Sequence, residues 1–428
     1  MENFNKISIC DVTSLFFLIF SFSIPMIGYH VPKYVLGCLL LLKFIDVYTN
    51  PEVYKSFFVR NKIKFLFLSF FFMFSVFSFL YTDDLKSGFG LIANYLFFII
   101  FQIIFISNQL LLRDIFKSFL YGILFLEFVN IGIAIYNFDI TQDYVNVINS
   151  ITYERLSNMV KLHPGYYSLM ILISIFINNY FVQGKKKWLI FLFQACFLFF
   201  LASRLLLLLL LFFCIFLIFN LDKKYKLGVT GVILVCLFFL FKVDFVNESV
   251  FRFSNFDNAL GIIFNEWKCG MEICIKEITS DFIARIYQIK SSLQLIFKSF
   301  TSFLFGYGIG DFKFELLKQY EVNNFEWGIN AKFNSHNQYL STMLIGGIFN
   351  LVALFIYIFS PLVYLKKSVY KKLYILIAIV FLLYSLTESF LLRENGVLVF
   401  TFFVSAFALG NDFFDTRKFL EKNETKCI

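Results

Sequence analysis

Residues 187–221 read KWLIFLFQACFLFFLASRLLLLLLLFFCIFLIFNL, and past the opening lysine a single charge, Arg204, interrupts the apolar run. The hydrocarbon core of a bilayer accepts about 20 apolar residues in one helical crossing. This run is nearly twice that length, so it divides at Ser203-Arg204 into two consecutive spans, 187–203 and 204–221. Chain this apolar has no way to hide its side chains by folding in water. The fold class therefore reads as all-α, a polytopic bundle of transmembrane helices.

The rest of the chain repeats the pattern. Hydrophobic residues make up 59% of it, aromatics 21% and charged residues 16%, against roughly 45–50% apolar and 25% charged in a soluble domain. Further spans are predicted at 12–30, 31–49, 63–81, 89–107, 115–137, 163–182, 226–242, 337–360, 373–391 and 395–411, about twelve in all. The run near Asp11 has no basic leader and no small-residue cleavage site, so it reads as a retained span. Glu2 and the position of Cys427 match no lipidation motif.

Charge placement tests the count. With the N-terminus inside, the short inside segments carry 21 lysines and arginines, among them Lys185, Lys186 and Lys187; the short outside segments carry 6. That asymmetry is the positive-inside rule, and it puts both termini in the cytoplasm. The net charge of +9 is spread between hydrophobic runs rather than gathered on one face, which argues against a nucleic-acid partner. The eight cysteines form no CxxC pattern and no cluster with His at zinc spacing, so no metal site or cofactor is expected.

One segment breaks the rhythm. Residues 1–242 hold nine spans, 243–336 form a large outside loop, 337–411 hold three more spans, and 412–428 form a cytoplasmic tail. Within the loop, 281–300 (DFIARIYQIKSSLQLIFKSF) sets Phe282, Ile286, Ile289, Leu293, Phe297 and Phe300 at helical spacing, with Arg285, Gln288 and Ser292 off that face. It reads as an amphipathic helix packed on the membrane domain or at the interface. GYGIGDF at 306–312 then forms a turn, since its glycines permit positive φ.

Three side chains stand out. Arg204 lies between two apolar runs, where an arginine faces a cavity or a partner, or else snorkels from a tight turn. Arg285 sits on the loop helix, where the plain alternative is a solvated face residue. His336, in NSHNQYL, opens the tenth span. Ser335 or Asn334 would cap the helix beside it, and an imidazole there accepts a proton near neutral pH. Arginines grip phosphate oxygens with a planar, always-charged fork. Two of them beside a base suit a lipid-linked pyrophosphate whose diphosphate gains charge as it departs. The pair Asp83-Asp84 reads as a solvated loop feature.

The order of these pieces resembles the O-antigen ligase and O-antigen polymerase superfamily. A Ser-Arg pair between two spans matches Ser203-Arg204; a loop arginine ahead of a glycine turn matches Arg285 with Gly306, Gly308, Gly310 and Phe312. The closing His-Asn followed by Leu and glycines matches His336-Asn337, Leu340, Gly346 and Gly347, with Asn350 where the ligase pattern has a last glycine. The resemblance runs from about Leu156 to Leu409. It implies a bacterial inner-membrane glycosyltransferase, metal-independent, with the loop in the periplasm. The donor would be a glycan on undecaprenyl pyrophosphate, and the acceptor lipid A-core or another glycan.

On that reading Arg204, Arg285 and His336 are catalytic. Arg252, Arg155, Asn337, Tyr339 and His163 are substrate-binding candidates, with Glu388 and Tyr307 as lesser ones. Arg252 falls where family members often carry a second loop arginine. Tyr339 would stack on a sugar. A structural or interfacial role is favoured for His163 and Glu388. Cys269 and Cys274 would face an oxidising compartment, which leaves a disulfide between them open, although in a regular helix their spacing would hold the Cα atoms too far apart. The rival readings are a polymerase of lipid-linked repeats, a transporter, for which the paired broken helices are lacking, and a non-catalytic scaffold.

Overall fold

The computed structural model describes residues 9–106, 110–137, 153–201, 203–220, 230, 281–365 and 369–410, with the backbone alone at 9–10, 153–154, 204, 218–220 and 281–283. Arg252, Cys269, Cys274, all of the predicted span 226–242 except Thr230, and the tail 412–428 lie outside these residues. Seventeen α-helices occur among those described, with no strand. They are α1 (Ile9–Ser23), α2 (Val31–Thr49), α3 (Pro51–Phe77), α4 (Leu85–Tyr95), α5 (Phe97–Phe105), α6 (Leu112–Tyr136), α7 (Tyr153–Asn158), α8 (Pro164–Phe181) and α9 (Gly184–Phe200). There follow α10 (Arg204–Asn220), α11 (Asp281–Ile296), α12 (Phe300–Phe305), α13 (Phe312–Val322), α14 (Glu326–Asn330), α15 (Gln338–Tyr364), α16 (Val369–Ser385) and α17 (Glu394–Leu409).

Five segments among the described residues are long and apolar enough to cross a bilayer: Asp11–Tyr29, Pro51–Tyr81, Leu85–Phe105, Leu112–Tyr136 and Gln338–Tyr364. The chain is a helical membrane protein. The run 187–221 does divide where its one internal charge falls, with α9 ending at Phe200 and α10 starting at Arg204.

Two helices form the centre. Every residue of α17 from Gly396 to Leu409 is buried, and so is α8 from Tyr166 to Asn178. Helices hydrophobic on all sides belong in the interior of a bundle. The packing is aromatic. Phe98 meets Tyr357 edge-on at 4.8 Å, and Phe402 lies 5.9 Å from both Phe101 and Phe105. Each such contact adds about 0.5–1.5 kcal/mol beyond the burial of its area.

α15 is the scaffold of the site, and it is broken. Gly346 (φ −139°, ψ 21°) and Gly347 (φ 67°, ψ −161°) leave helical geometry. The break frees the carbonyls of Leu344 and Ile345, which accept from Tyr307 N at 2.7 Å and Gly308 N at 3.0 Å. The glycine turn thus docks on the broken helix. Gly306 and Gly308 take φ of 71° and 92°, as the sequence predicts. Asp311 then accepts from the backbone N–H groups of Asp83 (2.7 Å) and Asp84 (2.8 Å). The Asp83-Asp84 loop is therefore a docking partner of the turn rather than only a solvated feature.

α11 forms where the spacing predicts it, but its inward face is the other one. Ala284, Tyr287, Gln288, Ser291 and Ser292 are buried against the neighbouring helices, while Ile289, Leu293, Phe297 and Phe300 are exposed. In a membrane protein the apolar stripe has lipid to face, and small or polar residues let helices approach closely. The stripe therefore fits the interfacial half of the expectation and not the packed half.

Candidate functional site

The site collects where helices end. His163 precedes α8, His336-Asn337 precede α15, and residues 386–389 follow α16. The predicted span 373–391 stops being helical after Ser385, because the next residues turn to meet Arg285. Its Nη1 donates to the carbonyl oxygen of Thr387 at 2.6 Å, and its Nη2 lies 3.4 Å from Glu388 Oε1. The other carboxylate oxygen, Oε2, is 3.5 Å from Nδ1 of His336. One carboxylate thus lies between the arginine and the histidine that the sequence singles out. The Arg285 and Glu388 side chains are 40% and 26% exposed, so the pair adds about 1 kcal/mol or less to stability. Its worth is in orientation.

Burial raises the Glu388 proton affinity, but the adjoining His336 imidazole, then the charges of Arg285 and His163, outweigh it and hold the carboxyl below the ordinary glutamate range. An ionised carboxylate here keeps Arg285 anchored by two of its N–H groups, with the remaining donors of the fork available. It also favours an imidazole that presents Nε2 away from Glu388.

His336 is held in a conformation few residues adopt. Its φ is 43°, in the left-handed region, which costs a non-glycine residue about 1–2 kcal/mol. Its N–H donates to Asn334 Oδ1 at 2.8 Å. The cap of α15 is Asn337, whose Oδ1 accepts from Leu340 N at 3.1 Å; neither Asn334 nor Ser335, the caps expected from sequence, fills that place. Asn337 Nδ2 donates to Leu386 O at 3.2 Å, tying α15 to the Glu388 loop. Ser335, Ser341 and Ser389 hydroxyls meet at 2.6 to 3.2 Å beneath them.

The other candidates fall out differently. His163 caps α8, its Nδ1 accepting from Gly165 N at 3.2 Å, and its charge reaches Glu388. A hollow of about 500 Å³ is lined by Asn158, Lys161, Leu162, His163 and Pro164. Tyr339 donates to Leu382 O at 2.7 Å and stacks on Phe355 at 5.5 Å, so its ring face is engaged. Tyr307 OH donates to Leu295 O at 2.9 Å. Arg155 is exposed on α7. Arg204 opens α10, and its side chain is outside the described atoms.

Sequence reasoning places Glu388 among the lesser candidates, and the structure sets it between Arg285 and His336. The signal was there: an acidic residue in LTES, at the end of an apolar run, where a carboxylate requires a partner. The supporting serines carried no signal, since serine is common at helix ends.

Fold and site together define a helical membrane protein with an Arg–Glu–His constellation at helix ends. Residues 189–355, from α9 into α15, match the family model described as O-antigen ligase. That region holds Arg204, Arg285 and His336, and over it the chain is similar to the O-antigen ligase family. No curated protein matches the chain.

Proposed function

We propose that the protein transfers a glycan from an undecaprenyl-pyrophosphate donor to an acceptor hydroxyl, on the periplasmic face of a bacterial inner membrane with both termini cytoplasmic. The observation that carries this is Glu388, which joins Arg285 and His336 through its two carboxylate oxygens. His336 Nε2 takes the proton of the acceptor hydroxyl as that oxygen bonds to the anomeric carbon. The bond from that carbon to the diphosphate oxygen breaks, and the diphosphate leaves with the electron pair. Arg285 and Arg204 stabilise its added charge, in the role that a divalent cation fills in other phosphate-transfer sites. Glu388 steadies the imidazolium. Arg252 assists from the loop.

A second feature fits a prenyl-linked donor. An apolar groove of about 500 Å³ is lined by Ile131, Ala134, Phe193, Phe197 and Phe200. It includes Leu156 of α7, two residues from Asn158 of the polar hollow. A lipid tail in the groove would bring its head group towards that hollow and His163.

The polymerase reading, joining lipid-linked repeats, draws support from Asn350. It replaces the last glycine of the ligase pattern, packs against Gly346, and accepts from Ser75 Oγ at 3.2 Å. Deleting the gene and resolving the glycans on a gel separates the two. Loss of every chain from an intact lipid A-core indicates a ligase, and a core bearing one repeat indicates a polymerase. Normal glycans would defeat both.

A further inference from the structure

A second polar cluster lies inside the bundle, at the junction of α6, α8 and α9. Glu127, Asn130, Tyr167 and Gln194 are all fully buried. Gln194 sits beside the Glu127 carboxylate, Asn130 sits beside the Tyr167 phenol, and the charge of Glu127 reaches that phenol. Both carboxylate oxygens of Glu127, Asn130 Oδ1, Gln194 Oε1 and Tyr167 OH have no hydrogen-bond partner among the described residues. The amide nitrogens are occupied elsewhere. Asn130 Nδ2 donates to Leu156 O at 3.0 Å, and Gln194 Nε2 donates to Ser174 Oγ at 2.8 Å. A backbone carbonyl accepts only from a donor, so the Asn130 amide is fixed with its nitrogen there and its oxygen left over.

Buried oxygens with no donor are costly, and a carboxylate inside a membrane bundle marks a functional position by default. Among the described residues no lysine, arginine or histidine pairs with Glu127. We propose that Glu127, Asn130, Tyr167 and Gln194 bind one small monovalent cation, of sodium size. An all-oxygen set is the chemistry of hard cations. A single carboxylate balances one positive charge; a divalent ion would leave an uncompensated charge in a medium of low dielectric. A lone proton on Glu127 would serve Gln194 Oε1 and the Tyr167 hydroxyl would serve Asn130 Oδ1, yet the second Glu127 oxygen would still lack a donor. The site lies one helical turn from His163, since Tyr167 N donates to His163 O at 3.2 Å. Its occupancy therefore braces the start of α8.

The test does not depend on the transfer reading. The full chain in nanodiscs is melted in sodium chloride against choline chloride, at fixed pH and ionic strength. Tm rises saturably with sodium; Glu127→Gln removes the rise, and Tyr167→Phe moves its midpoint several-fold higher. Equal Tm in the two salts overturns the proposal. So does a Glu127→Gln protein that melts like its parent in both, because a carboxylate that carries its own proton behaves that way. If Glu127→Gln does not fold, the parent's salt titration and the Tyr167→Phe midpoint still decide.

Discussion

Arg285 and Glu388 meet at 3.4 Å across 103 residues of chain, bringing the loop helix α11 onto the turn that follows α16. The same carboxylate reaches His336 at 3.5 Å on the other side. Three segments far apart in sequence are thus fixed at one point, and the anchored guanidinium and imidazole share one counter-charge. A charge-sharing arrangement of this kind orients groups at little net cost in stability, because none of the three is wholly removed from water.

Glu388→Gln separates charge from shape. The amide fills the same space but no longer balances Arg285 or an imidazolium. Transfer from a lipid-linked donor, measured with purified protein, should fall about 10- to 100-fold, the range seen when an orienting partner is lost. Abundance in the membrane should stay unchanged. Unaltered transfer would remove Glu388 from the machinery.

The same residue fixes a pH dependence. The Glu388 carboxyl lies below the ordinary glutamate range in the folded protein, so the folded state holds that proton less tightly than the unfolded chain does. Its stabilising contribution is complete above the unfolded value and disappears as pH falls through the folded one. The Tm difference between parent and Glu388→Gln should therefore be present at neutral pH, worth about 1 kcal/mol or less, and vanish on acidification below the carboxylate range. A gap that widens on acidification would reverse the sign assigned here.

Gly347→Ala attacks the scaffold instead. Its φ of 67° disfavours any side chain, and an added Cβ would run into the backbone carbonyl of Leu304 in α12. A positive φ costs about 1–2 kcal/mol for alanine, and the clash adds to it. Tm should drop by several degrees, with loss of the contact between the glycine turn and α15. Hydrogen exchange should quicken at Tyr307 N and Gly308 N, whose acceptors lie at the break. Unchanged protection there would show that the turn docks by other means.

Much of this was legible beforehand. The break at Ser203-Arg204 and the positive φ at Gly306 and Gly308 follow from local rules, span length and glycine geometry; Arg285 and His336, which the sequence singles out, lie on either side of one carboxylate. Direction stays open in the sequence. The apolar stripe of α11 reads as packed on the membrane domain or lying at the interface, and it is exposed; lipid competes with protein for such a stripe, and periodicity does not say which wins. Glu388 reads as only a lesser candidate, because its partner lies 103 residues away, a distance no spacing rule spans. The cap of α15 slipped by two or three residues, since Asn334, Ser335 and Asn337 are all good capping types and only the tertiary contact to Leu386 chooses among them.

His336 offers a way to separate backbone from chemistry. At φ 43° alanine would lose the imidazole and still bear left-handed strain of about 1–2 kcal/mol. A silent His336→Ala variant therefore confounds two causes. Asparagine tolerates that backbone region better than other residues, but its amide is no base near neutral pH. His336→Asn should be as stable as the parent, within about 0.5 kcal/mol, while transfer falls by about 10²–10⁴-fold, the usual contribution of a general base. Equal loss of stability and activity would make the histidine a structural hinge of α15. Stable protein with full transfer would pass the proton-accepting role to another group, and His163, the other imidazole whose charge reaches Glu388, is where His163→Gln would test it next.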